Sequence, residues 1–156
     1  MKQNKVKTYT VDEARSKMEQ YCAYQERSHY QVEQKLRDMR MIPDAVDMIV
    51  LHLMKEGFLN EERFAKAYVS GKFRYKQWGK QKIIQGLKQH RIHPNLIQKA
   101  LQEIDNEAYN ETIQALIAKK KKDYAKEQPY KRKQKIIRYL YQKGYSYDSF
   151  SDLLNE

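Results

Sequence analysis

The sequence repeats itself, and this internal repetition limits the fold more than any other feature. The segment from Ser28 to Leu53 aligns without a gap with the segment from Gly79 to Ile104. Apolar residues coincide at the same spacing in both segments, and Pro43 in the first falls on Pro94 in the second. Repetition over this length predicts a tandem array of units that pack mainly on their neighbours.

A third copy follows the second. Residues 81–84, QKII, recur as residues 134–137, and Leu87 then aligns with Leu140. Apolar residues continue at the matching places almost to the end of the chain. We place a basic N-terminal arm at residues 1–10 and three repeats at residues 11–59, 60–105 and 106–156.

The second repeat shows how each unit can form three helices. Asn60 is suited to cap a first helix, Gly79 stands at the start of a second, and Pro94 suits the first position of a third. Apolar residues follow the helical period in all three, with Leu87 and Leu101 as predicted core residues. No stretch shows the alternation of a β-strand. We therefore expect an elongated, curved, all-α fold of three tandem three-helix repeats that resemble helix-turn-helix units.

Positive charge is concentrated in two blocks. The chain carries a formal net charge of +11, although residues 1–62 are close to neutral. Residues 63–102 contain no Asp or Glu, and residues 119–143 contain only Asp123 and Glu127. Such blocks predict an acidic partner. The alternative is a solvated surface that serves only solubility, although solvated helices usually mix both signs.

The acid-free block also contains aromatic residues among its cations, a mixture typical of surfaces that bind phosphates and stack on bases. Trp78 precedes the helix start at Gly79, so it either packs against that corner or contacts a partner. We expect the acid-free block to contribute more to binding than the lysine-rich third repeat. The candidate partner- or nucleic-acid-binding residues are Arg63, Lys72, Arg74, Tyr75, Lys76, Trp78, Lys80, Lys82, Lys88, Arg91, Lys131, Arg132, Lys135 and Arg138.

Nothing in the sequence has the pattern of a catalytic or metal site. We assign no catalytic residue and no cofactor, because no nucleophile, base and oxyanion donors form a recognisable set. His90 and His93 have no third ligand near them, so we assign no metal. Cys22 is expected to be a buried structural thiol. No signal peptide or membrane-spanning run is evident, so we expect a cytoplasmic protein.

Three stretches carry a more specific pattern. They are residues 57–69, GFLNEERFAKAYV, the stretch from Gly79 to Leu87, and the stretch from Ser28 to Leu36. With the repeat pattern, they make the chain from about Ala14 to Glu156 similar to the RecX family of regulatory proteins, which modulate the RecA recombinase.

The resemblance implies a function that the residues alone do not reach. It implies a protein without enzyme activity that lies in the groove of the RecA–DNA filament and inhibits or modulates recombination, DNA repair and the SOS response. The expected partners are the RecA filament and the DNA within it, and we expect a monomer. The residues alone leave open a helical protein that binds single- or double-stranded nucleic acid directly.

Overall fold

The computed structural model describes residues 7–155, and every regular element in that range is an α-helix. The predicted all-α fold class is therefore confirmed. The helices are α1 Val11–Tyr24, α2 His29–Asp38, α3 Pro43–Lys55, α4 Glu61–Lys76, α5 Lys80–Gln89, α6 Pro94–Leu101, α7 Asn106–Asp123, α8 Pro129–Lys143 and α9 Tyr147–Leu154. Below, repeat 1 denotes α1–α3, repeat 2 denotes α4–α6 and repeat 3 denotes α7–α9.

Two expectations from the sequence were an N-terminal arm at residues 1–10 and the lack of a membrane-spanning segment. Residues 1–6 of the predicted N-terminal arm lie outside the described residues, whereas residues 7–9 precede α1 and Thr10 caps it. Within residues 7–155, no helix is both long enough and apolar enough to cross a membrane.

Helices α2 and α4 begin directly after residues whose side chains cap them, Ser28 and Asn60. Ser28 Oγ accepts a hydrogen bond from Gln31 N at 3.1 Å, and Gln31 Oε1 accepts one from Ser28 N at 2.9 Å. This reciprocal pair satisfies two backbone donors at the start of α2. Pro43 and Pro94 occupy the first turn of α3 and α6, where a missing N–H costs no intrahelical bond.

The second helix of each repeat ends in the same turn. In all three repeats, the carbonyl of a fully buried leucine accepts a hydrogen bond from the backbone N–H five residues later. The bonds join Met41 N to Leu36 O (3.0 Å), Ile92 N to Leu87 O (3.1 Å) and Tyr145 N to Leu140 O (3.0 Å). The residue before each donor is left-handed, namely Arg40 (φ 62°), Arg91 (φ 58°) and Gly144 (φ 99°). Because a left-handed arginine costs about 1 kcal/mol, the surrounding packing must hold this turn.

The apolar residues form two cores. Repeat 1 has its own core, which includes Met18, Leu36 and Leu53. The helices of repeats 2 and 3 share one continuous core, which includes Leu87 and Leu140. Repeats 2 and 3 therefore form one packed body, and repeat 1 packs around a separate core.

Two predictions about buried residues have different outcomes. Leu101 is only partly buried and packs against the edge of the core of repeats 2 and 3, so its prediction as a core residue holds in part. Leu101 lines an open depression together with Lys80 and Gln98. Cys22 is buried and free, as predicted, and burial raises the pKa of its thiol to about 11.

Backbone hydrogen bonds join repeats 2 and 3. Gly79 N donates to Lys143 O at 2.7 Å, and Gln81 N donates to Gly144 O at 3.0 Å. A side-chain carbon at position 79 would overlap the backbone of Gly144. Glycine at position 79 therefore allows the two backbones to touch.

Side chains join repeats 1 and 2. Ser28 Oγ, at the start of α2, lies 2.9 Å from His90 Nδ1, at the end of α5. Arg63 Nε donates to Glu26 Oε1 at 2.6 Å and forms an ion pair between the two repeats. This junction depends on polar and ionisable side chains.

Candidate cation-aromatic interface

Lysine side chains lie against aromatic rings on both sides of the junction between repeats 2 and 3. The half-buried Trp78 occupies the connection between α4 and α5, and its backbone N–H donates to Lys72 O at 3.1 Å. Lys72 Nζ lies 4.8 Å from the centroid of the Trp78 ring, and Lys82 Nζ lies 4.5 Å from it. These cation–π contacts orient both ammonium groups around one ring.

The same arrangement continues in repeat 3. Lys120 Nζ lies 4.3 Å from the Tyr139 centroid and 5.7 Å from the Tyr124 centroid. Lys143 Nζ lies 6.0 Å from the Tyr139 centroid. We call the whole set the cation-aromatic strip, and its members are Lys72, Trp78, Lys82, Lys143, Tyr139, Lys120 and Tyr124.

Lys143 connects the two halves of the strip. Its Nζ donates to Lys76 O, in repeat 2, at 3.0 Å. Burial lowers the pKa of Lys143, and the positive charges of neighbouring lysines lower it further. Those neighbours are Lys82, Lys119, Lys120 and Lys76. The cations of both repeats are therefore close enough to repel one another, and a bound anion would relieve that repulsion.

Most lysines of the strip have no internal counter-charge. Within residues 7–155, no carboxylate forms an ion pair with Lys72, Lys82 or Lys143. Lys120 is the exception, because its Nζ lies 3.4 Å from Asp123 Oδ2. Uncompensated lysines beside flat rings fit a partner that offers phosphates and aromatic bases.

Several residues predicted from the sequence lie in or beside the strip. Lys72, Trp78 and Lys82 belong to it, and Lys76 supplies the carbonyl that Lys143 contacts. Lys135 Nζ lies at the repeat 3 end of the strip, 5.4 Å from the Tyr124 centroid.

Other predicted residues lie elsewhere. Lys80 Nζ lies 4.7 Å from the Tyr109 centroid, Arg91 stacks 4.8 Å from Tyr30 of repeat 1, and Arg63 is bonded to Glu26. The last two contacts hold repeats 1 and 2 together. The remaining candidates are the exposed Arg74, Tyr75, Lys88, Lys131 and Arg138, and the half-buried Arg132.

Acidic residues outside the acid-free block neutralise part of it. Glu62 Oε1 lies 2.7 Å from Lys99 Nζ and 3.3 Å from Lys66 Nζ. Hydrogen bonds to these two lysines lower the pKa of Glu62 below its usual value. The composition of the block therefore overstates the positive charge that is free for a partner.

The sequence predictions missed several residues of the strip. Tyr139 and Tyr124 were not among the candidate residues, and Lys120 and Lys143 entered only as members of the basic block of residues 119–143. The available signal was the spacing of four residues within the pairs Lys120–Tyr124 and Tyr139–Lys143, which places both members on one face of a helix.

The two histidines with a possible metal-ligand spacing have separate partners. His93 Nδ1 accepts a hydrogen bond from Asn95 N at 3.1 Å, whereas His90 Nδ1 lies against Ser28 Oγ. Among the described residues, no group of three or more His, Cys, Asp or Glu side chains is placed to hold a metal ion.

The fold and the strip define an all-helical repeat protein with a surface suited to a polyanionic partner. The family models described as the second and third three-helix domains of RecX match residues 60–101 and 107–154, respectively. The chain belongs to the RecX family of regulatory proteins, and its helices are tandem three-helix repeats of that family.

Similar proteins agree with this assignment. Regulatory protein RecX of Bacillus mycoides is 31% identical over 136 residues, which cover 87% of this chain and 50% of that protein. A crystal structure of regulatory protein RecX matches with a TM-score of 0.85 at 25% identity, over 94% of this chain and 73% of that one. RecX from Lactobacillus salivarius has the same fold, with a TM-score of 0.83 at 24% identity over 93% of this chain and 94% of that one. This chain spans about half the length of its Bacillus relatives.

Proposed function

We propose that this chain binds the RecA–DNA filament in its groove and inhibits or modulates the recombinase, and thereby recombination, DNA repair and the SOS response. Membership of the RecX family carries the proposal, because the similar proteins are named regulatory proteins. The proposed role is cytoplasmic, non-catalytic and independent of a cofactor, and the acting species is a monomer.

The cation-aromatic strip supports a filament as the partner. A nucleoprotein filament carries phosphates at regular intervals along its axis, and the strip carries several uncompensated lysines on one body. Because repeats 2 and 3 share one core, the two ends of the strip are held on one body. Such a body can contact neighbouring sites together, and each contact raises the effective concentration of the next.

The experiment measures RecA ATPase rate and filament length while the protein is added. The variant Lys72→Gln/Lys82→Gln removes two uncompensated strip lysines without introducing negative charge. The matched control is Lys66→Gln/Lys99→Gln, which removes two lysines of the same repeat that are paired with Glu62. We expect the strip variant to lose most of the effect on RecA and the control to keep it.

Two outcomes would contradict the proposal. The first is that the unmodified chain leaves the ATPase rate and the filament length unchanged at concentrations far above that of RecA. Equal losses in both double variants would contradict the role of the strip, because general positive charge would then explain the effect.

Direct nucleic-acid binding is a second candidate function. The observation that favours it is Trp78, a half-buried ring between two lysines, which suits base stacking and phosphate contacts. Trp78 is the only tryptophan, so its fluorescence reports on the strip. Titration with single-stranded DNA, double-stranded DNA and RecA filament separates the two functions. Binding to bare DNA as tight as binding to the filament would favour the second candidate.

A further inference from the structure

Repeat 1 contains a second site in which cationic and aromatic side chains lie together, and the local charge there is positive. An open depression of about 560 Å³ lies beside α1 and α2. Its lining includes the side chains of Tyr9, Lys17, Tyr21, Tyr24, Arg27 and Lys35. We call it the tyrosine basin. None of the described side chains that line it is acidic.

Arg27 is held in a fixed orientation at this basin. Its side chain is mostly buried, and the residue is 9% exposed. Its Nε donates to Tyr21 O at 2.9 Å, and the central guanidinium carbon lies 3.7 Å from the Tyr21 ring centroid. Within residues 7–155, no carboxylate forms an ion pair with it. A buried and oriented guanidinium without a counter-ion is prepared to bind an oxyanion.

Three lysines add positive charge around the same rings. Lys17 Nζ lies 5.4 Å and Lys7 Nζ lies 5.2 Å from the Tyr9 centroid. Lys35 Nζ lies 5.5 Å from the Tyr21 centroid. An anion in the basin would therefore meet several cations at once and gain more than from a single surface lysine.

Tyr24 offers a free aromatic surface next to these cations. The residue is 84% exposed, and the Arg27 guanidinium carbon lies 6.0 Å from its ring centroid. Exposed rings beside a cationic groove are the elements by which proteins bind unpaired bases, since every base has a π-face.

We propose that the tyrosine basin binds a nucleotide of single-stranded nucleic acid, with its phosphate on Arg27 and Lys35 and its base stacked on Tyr24. An acidic peptide would use the cations but leave the Tyr24 ring without a role. A duplex would present phosphates but keep its bases paired inside. The basin lies on repeat 1, so this inference does not rest on the strip or on RecA.

The test uses the full chain with the strip weakened by Lys72→Gln/Lys82→Gln, so that the basin dominates binding. The probe is a fluorescent oligothymidylate of about eight nucleotides, followed by anisotropy without RecA. Tyr24→Ala should weaken binding about 5- to 150-fold, the range for loss of one stacked base. Tyr24→Phe keeps the ring and should retain the affinity. Tyr130→Ala is the matched control. Tyr130 is an exposed tyrosine like Tyr24, at 75%, but it lies on α8, away from the basin.

A second variant tests the phosphate contact without disturbing a buried residue. Lys35 is exposed, so Lys35→Gln should preserve the fold, as circular dichroism can verify, and should weaken binding with a smaller salt dependence. The inference is overturned if the strip-weakened chain does not bind the oligonucleotide, or if Tyr24→Ala binds it as well as the parent. It is also overturned if octaglutamate competes as strongly as unlabelled oligothymidylate, which would indicate an acidic-peptide site.

Discussion

Ser28 Oγ and His90 Nδ1, 62 positions apart in the chain, lie within 2.9 Å of each other and join repeats 1 and 2. In the repeat alignment, Ser28 corresponds to Gly79 and His90 corresponds to Lys143. At that second junction, Gly79 N donates to Lys143 O at 2.7 Å. The same joint is thus used twice, with side chains in one case and backbone in the other. Side-chain substitution and pH should therefore affect the first joint, and steric bulk should affect the second.

Replacing Ser28 with Ala should destabilise the chain more than the loss of an ordinary helix cap. The change removes the cap of α2 and the contact with His90, at a fully buried position. We expect a loss of about 1–3 kcal/mol in the free energy of unfolding, measured in urea. Thr10→Ala is the control, because Thr10 caps α1 with the same reciprocal bonds at an exposed position. It should cost only about 0.5–1 kcal/mol. Equal losses would show that the Ser28–His90 contact adds no stability.

Acidification should weaken the joint between repeats 1 and 2 through His90. Burial lowers the pKa of His90 below its usual value, and the charge of Lys72 lowers it further. The unfolded chain therefore takes up the proton at higher pH than the folded chain does. This contribution to stability is complete above a pH of about 6.5 and is lost as the pH falls through the lower folded pKa. The other ionisable side chains that line the cleft around His90 are Lys72, Tyr68 and Glu26.

The measurement is the free energy of unfolding between pH values of about 7.5 and 5, for the unmodified chain and for His90→Gln. Glutamine cannot take up the proton, so His90→Gln should show a smaller loss of stability over this range. A pH dependence identical to that of the unmodified chain would contradict the assignment to His90.

Two Gly→Ala substitutions should have opposite effects. Gly79→Ala would force a methyl group into the backbone of Gly144, and a crowded interior site typically costs about 1–3 kcal/mol. Gly71 lies inside α4 with no atom within 4 Å of its added carbon, so Gly71→Ala should stabilise the chain by about 0.5–1 kcal/mol. Urea unfolding of both variants checks the pair. A tolerated Gly79→Ala would show that the junction of repeats 2 and 3 can separate without loss.

Features that depend on residues close together in the sequence could be predicted from the sequence. The cap at Ser28, the helix start at Pro94 and the buried Leu87 follow from local preferences and from a periodic pattern. Leu101 fits the same pattern, but its exposure depends on how far neighbouring helices extend over it. Arg40 and Arg91 occupy equivalent positions of the first two repeats, but the sequence does not reveal their left-handed conformation.

The candidate site depends on contacts between distant residues, which local patterns do not contain. Lys82 and Lys143 come together only because repeats 2 and 3 share a core. Conversely, Lys99 belongs to a block without acids, yet Glu62 on another helix neutralises it. Charge counts along the chain therefore identified the basic repeats but not the cations that are free.

The salt dependence of filament binding should distinguish free strip lysines from paired ones. Each lysine that neutralises a phosphate releases counterions, which contributes about 0.7–0.9 to the slope of log K against log salt. Lys72→Gln/Lys82→Gln should therefore reduce the magnitude of the slope by about 1.5. Lys66→Gln/Lys99→Gln should leave it nearly unchanged, because Glu62 already pairs with both side chains. The measurement is a titration of RecA filament with each variant between about 0.05 and 0.3 M salt. Equal slopes for both double variants would show that the strip does not contact phosphates.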